Sequence, residues 1–175
     1  MKLLFSFLPW IVFLILKSYA GETAALTVSI IISIIFDHKR LRQGFYVSWI
    51  IILSMLVLLS CYLFGKFEVT PLIRTLLMSG SFAVMAWISL IISKPFTIQY
   101  AKEEVPEDKW STPGFIKVNQ IITLVWALAM SANTAASIFH YHSDTVSIVT
   151  IVLAIMFTKR YPQYYRQKFI KNMES

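Results

Sequence analysis

Between Gly44 and Phe64 the chain runs for 21 residues without a charged side chain. About 20 consecutive apolar residues are what an α-helix needs to cross the hydrocarbon core of a bilayer, so this segment reads as a full-length membrane helix. Two further runs repeat the pattern: Leu72 to about Ile92, with Arg74 in its first turn where the guanidinium can reach headgroups, and Val118 to Phe139. A sixth apolar run, Thr145 to Phe157, is shorter.

The first two runs, Leu3 to Leu16 and Thr23 to Phe36, each have an apolar core of about 14 residues. Such a core spans roughly 21 Å against a hydrocarbon thickness of roughly 30 Å. Only Lys17 to Glu22 separates them, which predicts a tight antiparallel hairpin that borrows flanking residues, with Lys17 snorkelling, or else a re-entrant hairpin. Pro9 is acceptable in such a helix if a kink satisfies the freed carbonyl, or if Pro9-Trp10 marks an interfacial start. Lys2, the apolar run and Ser18-Tyr19-Ala20 before Gly21 also imitate a cleavable signal peptide. Lys17 interrupts that run and a second apolar run follows at once, so the segment is expected to be a membrane helix.

A composition of 57% hydrophobic and 14% charged residues, with mean hydropathy +0.67, lies outside that of soluble domains. The expected fold is therefore all-α: a polytopic membrane helix bundle over residues 1–175, one domain, with six transmembrane helices in three successive hairpins, or five if the first hairpin is re-entrant. Sixteen basic residues against nine acidic give a net charge of +7. In a soluble protein that excess would suggest nucleic acid; here the charges fall between apolar runs, and anionic headgroups of a phospholipid bilayer are the expected counter-charge, with no nucleic-acid partner. With the N-terminus cytoplasmic and six spans, thirteen of the sixteen fall on the inner side, leaving only Lys17, Lys66 and Arg74 outside. That asymmetry is what the positive-inside tendency predicts, and it places both termini in the cytoplasm. The single Cys61 sits in an apolar run and behaves as a small hydrophobe.

The longest polar interval is the cytoplasmic connector 93–119, which holds four of the nine acidic residues: Glu103, Glu104, Glu107 and Asp108. Pro95 ends the preceding helix, and Thr97 to Glu104 is long enough for about two helical turns with Phe96 and Tyr100 toward the membrane surface and Gln99, Lys102 and Glu103 toward water. Trp110 is an interfacial anchor before a helix start at Ser111-Thr112-Pro113. Contact with a partner or with lipid is expected at Tyr100, Lys102, Glu103, Glu104, Glu107, Asp108 and Trp110. The tail 158–175 interleaves Tyr161, Tyr164 and Tyr165 with Arg160, Arg166 and Lys168, a pattern that lies on anionic lipid more readily than on RNA.

Within the fifth span, Ala127, Ser131 and Ala135 recur at four-residue spacing and form a face for close helix packing, within the chain in preference to a homodimer. Asn119, Asn133 and Ser137 are its polar members. Asn133 is expected to bond a neighbouring helix; lining a pathway with Ser137 and Trp126 is the alternative. His140, His142 and Asp144 resemble a metal set, but zinc needs three or four ligands at fixed geometry and a surface turn is the simpler reading. No hydrolase, metalloprotease or phosphate-loop motif is present, so no catalytic, cofactor or metal residue is assigned and the chain is not expected to be an enzyme. No span contains an acidic residue, since Glu22, Asp37, Glu68 and Asp144 sit at span ends, which weighs against ion-coupled transport.

The opening run Met1 to Leu16, Glu22 to Leu26, Lys94-Pro95-Phe96 and the stretch Asn119 to Trp126 together resemble the bacterial YciB/IspZ family, known as intracellular septation protein A. The similarity of layout covers most of the chain; the more acidic Phe96 to Trp110 segment departs from it. The resemblance implies a multi-pass protein of the bacterial inner membrane, tied to envelope maintenance and cell division through an envelope or division partner, without enzymatic residues. A small transporter or channel-like pathway, and an intramembrane lipid-modifying enzyme, are the alternatives. The enzyme would require Gln99, Tyr100, Lys102, Glu103 and Asn119 to converge on one pocket.

Overall fold

The computed structural model describes residues 2–65, 69–139 and 143–173, and over these every regular element is helical. The chain opens as a 3₁₀ helix, Lys2–Phe7, that leads into α1 (Leu8–Ala20), with Pro9 in the first turn where its missing N–H costs nothing. Pro9 is thus a helix start, and no kink is needed. Gly21 takes φ of +80°, a left-handed conformation open to glycine, and turns the chain into α2 (Glu22–Arg42).

Here the structure corrects the expected boundary, because Asp37 to Arg42 is no loop: it forms the last turns of a 21-residue α2. Lys39, Arg40 and Arg42 complement the negative end of the helix dipole, and the i,i+3 pair of Asp37 with Arg40 adds a local tie. Gly44 (φ +72°) makes the turn, and α3 follows at Tyr46–Phe64. The fourth span is a continuous helix, Pro71–Ile91, built from α4 (Pro71–Thr75), a π-helical turn at Leu76–Gly80, and α5 (Ser81–Ile91). Thr70 caps it by accepting the Ile73 N–H.

The connector contains a single short helix, α6 (Thr97–Ala101), and a 3₁₀ turn, Glu107–Lys109. Thr112 then caps α7 (Pro113–Ile138), accepting from the Phe115 N–H with Pro113 next, as the sequence predicted. The last helix, α8 (Ser143–Met173), runs through Pro162 into what was expected to be a separate tail. Phe157 stacks on Tyr161 at 4.7 Å, and Tyr165 lies against Gly114 of α7, which ties the extension back to the bundle.

Successive helices pack as α1 on α2 and α2 on α3, while α7 sits between α5 and α8. The interior is aromatic: Phe7 stacks on Trp126 at 5.3 Å, and Phe82 meets both Phe7 and the edge of Phe96. Among the described residues, four helices are long and apolar enough to cross a membrane: Tyr46–Phe64, Pro71–Ile91, Pro113–Ile138 and Thr145–Lys168. Their outward faces carry exposed Leu, Ile, Val and Trp, as a lipid-facing surface does.

Candidate functional site

The polar residues gather where α2 ends and α3 begins. Asp37, only 4% exposed, accepts the Ser48 hydroxyl (2.8 Å) on one oxygen and Arg40 Nη1 (2.9 Å) on the other. The same Nη1 donates to Ser6 Oγ at 3.2 Å, and the other edge of the guanidinium grips Glu103 in two-pronged fashion, Nε to Oε1 at 3.3 Å and Nη2 to Oε2 at 3.1 Å. Beneath it the Tyr100 hydroxyl donates to Ser6 Oγ (3.1 Å), while Arg40 lies over the Tyr100 ring at 5.4 Å. Segments around residues 6, 37–48 and 100–103 are thereby joined through one cation.

Tyr100 was expected at the membrane surface but is buried, edge-on to Phe45 at 5.0 Å. The cause is α6, which turns Phe96, Thr97 and Tyr100 inward together, so this face belongs to the protein core. Burial pushes the Tyr100 phenol up to about 12, since the phenolate would lose its water and sit near the Asp37 carboxylate; bonds to Ser6 and Ser48 and the nearby Arg40 charge offset this only in part. The phenol is therefore a fixed donor at neutral pH.

Beside the lock lies an open basin of about 290 Å³ lined by Gln43, Phe45, Gln99, Lys102, Glu103 and Trp110. Gln99 forms its strap: Oε1 accepts the Tyr46 N–H (2.9 Å) and Nε2 donates to the Gly44 carbonyl (3.1 Å), clamping α6 onto the α2–α3 turn. The Lys102 ammonium sits 4.7 Å over the Trp110 ring, whose indole N–H bonds the Val105 carbonyl at 2.8 Å. Gln99, Lys102 and Glu103 thus share one basin, and Tyr100 does not line it, touching only its Phe45 wall. Asn119 does not join them: its side chain bonds Phe115 O (2.8 Å) and its own carbonyl accepts Thr97 Oγ1 (2.9 Å) between α6 and α7.

The remaining candidates lie elsewhere. Glu104 is exposed in the turn after α6, and Glu107 and Asp108 are exposed on the 3₁₀ turn. Arg160, Arg166 and Lys168 are exposed on α8. Asn133 is buried and its Oδ1 accepts Thr150 Oγ1 at 2.6 Å, the interhelical bond expected of it; Ser137 bonds Thr75 (3.1 Å), and Trp126 bonds Thr158 (3.0 Å). The small-residue face of α7 packs within the chain, with Ser131 accepting the Trp87 N–H at 3.1 Å. His140 and His142, with the Asp144 side chain, lie outside the described residues, among which no group of three or more His, Cys, Asp or Glu could hold a metal.

Sequence reasoning missed Ser6, Asp37, Arg40 and Ser48. The only signal was the i,i+3 spacing of Asp37 and Arg40 at the end of an apolar run, which a solvated loop explains equally well until the helix is known to continue. In comparisons with family models, curated proteins and solved structures, nothing matches the chain.

Proposed function

We propose that this is a non-enzymatic six-span protein of the bacterial inner membrane, with both termini cytoplasmic, that serves envelope maintenance or division of the septation-protein type by contact, its connector 93–119 being the recognition face. The observation that carries this reading is the Arg40 lock. Both carboxylates of the network are taken up by one guanidinium, so the arrangement holds position and leaves neither poised as a general base, which needs reach to a substrate proton. What the lock holds still is the connector, with Glu107 and Asp108 turned outward.

Six crossings are supported by length. The 3₁₀ segment at about 2.0 Å per residue extends α1 to roughly 31 Å, near the roughly 30 Å of a hydrocarbon core, whereas the apolar part of α2 spans roughly 21 Å and would cross by borrowing its flanking residues. Against the pathway alternative, Ser137, Trp126 and Asn133 Oδ1 each bond a neighbouring helix, although Asn133 Nδ2 finds no partner among the described residues. The enzyme alternative lacks Asn119 at the basin.

In a strain of the source bacterium lacking the protein, a double variant E107Q/D108N present at normal membrane level should fail to restore envelope integrity. A photo-crosslinker at Lys109 should capture a partner in wild type and lose it in that variant. Full complementation by the double variant, or turnover of a lipid by the purified protein, would overturn the reading.

A further inference from the structure

We infer that Ser81 holds a one-residue surplus in the fourth span, stored as the π turn Leu76–Gly80, and that this turn aims Arg74 and Thr75 at α2 and α7. A π turn closes i→i+5 where an α-helix closes i→i+4, so it takes in one residue more. The bond that defines it here runs from the Ser81 N–H to the Leu76 carbonyl, five residues back, with the Met78 carbonyl sharing the donor. In an unbroken α-helix that N–H would go to the Leu77 carbonyl instead.

The wide turn deprives Leu77 O of its helical donor, and the Ser81 side chain supplies another. Its hydroxyl donates to Leu77 O, with Met78 O as a second acceptor at 3.1 Å. An unpaired carbonyl is costly in a packed or lipid-facing helix, where no water replaces the lost donor. The serine therefore removes the penalty of the wide turn. Without the hydroxyl, closure to α, which returns the Ser81 N–H to Leu77 O, is the favoured way to satisfy that carbonyl. Gly80 leaves room for either form, since a Cβ there would meet nothing nearer than Thr134 at 3.8 Å.

The consequence is rotational. One residue corresponds to about 100° around an α-helix, so closure of the turn would swing α4 by about that angle relative to α5. The two halves touch different partners. Before the turn, Arg74 pairs with Glu22 of α2, and Thr75 Oγ1 accepts the Ser137 hydroxyl of α7 at 3.1 Å. Beyond it, Phe82, Ala86 and Ser89 are buried and Trp87 donates to Ser131 of α7. A rotation of that size cannot keep both sets. Ser81 is thus a positioning residue for the Glu22 and Ser137 contacts, acting on them through the turn.

The test uses the full chain in a C61A background, which removes its single cysteine. T75C/S137C places two thiols where the native hydroxyls lie 3.1 Å apart, and oxidation with copper phenanthroline should join them. S81A should lower the disulfide yield several-fold, and S81T, which keeps the hydroxyl, should retain it. S81A with Ser79 deleted should recover it, because an α-helix one residue shorter restores the phase. A second pair, W87C/S131C joined by a short bismaleimide, reports the half beyond the turn and should form equally in all four chains. Full disulfide yield in S81A, or no recovery on deletion of Ser79 while the second pair still joins, would overturn the inference. Loss of both pairs in S81A would overturn it too, since Ser81 would then support the whole bundle and not the phase of one helix.

Discussion

Arg40 carries most of what can be tested at the residue scale. Removing the cation strands the buried Asp37 carboxylate; a fully buried pair would lose about 3–5 kcal/mol, and this partly exposed network loses less. R40M should therefore lower the unfolding midpoint in detergent sharply, while the triple replacement D37N/R40M/E103Q should recover part of the loss. An R40M protein that melts with wild type would show that the lock contributes nothing. Tyr100 gives a pH signature. Its folded value of about 12 lies above the ordinary 10, so the contribution of the buried neutral phenol is complete below pH 10 and is lost as pH rises toward 12, by roughly 3 kcal/mol. Stability measured across that window should fall for wild type and fall less for Y100F. Identical slopes would mean the phenol titrates normally.

At the element scale the helices were legible where apolar length alone decides them. Tyr46–Phe64, Pro71–Ile91 and the capped start of α7 all follow from long apolar runs and from Thr-Pro signals. Boundaries set by tertiary contact were not. The local Asp37–Arg40 pair alone does not decide that Asp37 to Arg42 stays helical, because what also favours it is Ser48 from the next helix and Glu103 from a segment 63 residues away. Nor does local pattern reveal that α6 turns Tyr100 inward, or that α8 continues through Pro162 once Tyr161 can stack on Phe157. The polar residues of α7 were readable in type, and their partners on α4 and α8 were not. Asn133 and Thr150 supply a measurable case: membrane hydrogen bonds of this kind are worth about 0.6 kcal/mol on average and up to about 1.7. A double-mutant cycle of N133A and T150A should return a coupling in that range and of stabilising sign. Strict additivity would mean that the 2.6 Å contact contributes no coupling.

For the whole molecule the question is whether the first hairpin crosses. α2 is bounded by charge at both ends, Asp37 and Arg40 in the lock and Glu22 paired with Arg74. Arg74 stands in the first turn of the Pro71–Ile91 helix, ten residues after the end of α3, so the pair places the α1–α2 turn level with the far end of α3. Since α3 is long enough to cross, a hairpin pinned at that level favours the proposed crossing, whereas a re-entrant hairpin would stop short and leave Glu22 without Arg74. In a C61A background, a single cysteine at Tyr19, which is fully accessible at the end of α1, should react with a membrane-impermeant maleimide from the outer face. Cysteines at Asp108 and Lys168, both exposed, should react only after the inner face is opened. Labelling of all three from one side would make the hairpin re-entrant and remove the six-span topology. Labelling of Tyr19 alone from outside would fix the connector, the Arg40 network and the α8 extension on a single cytoplasmic face, where the thirteen inner cations would meet the same leaflet.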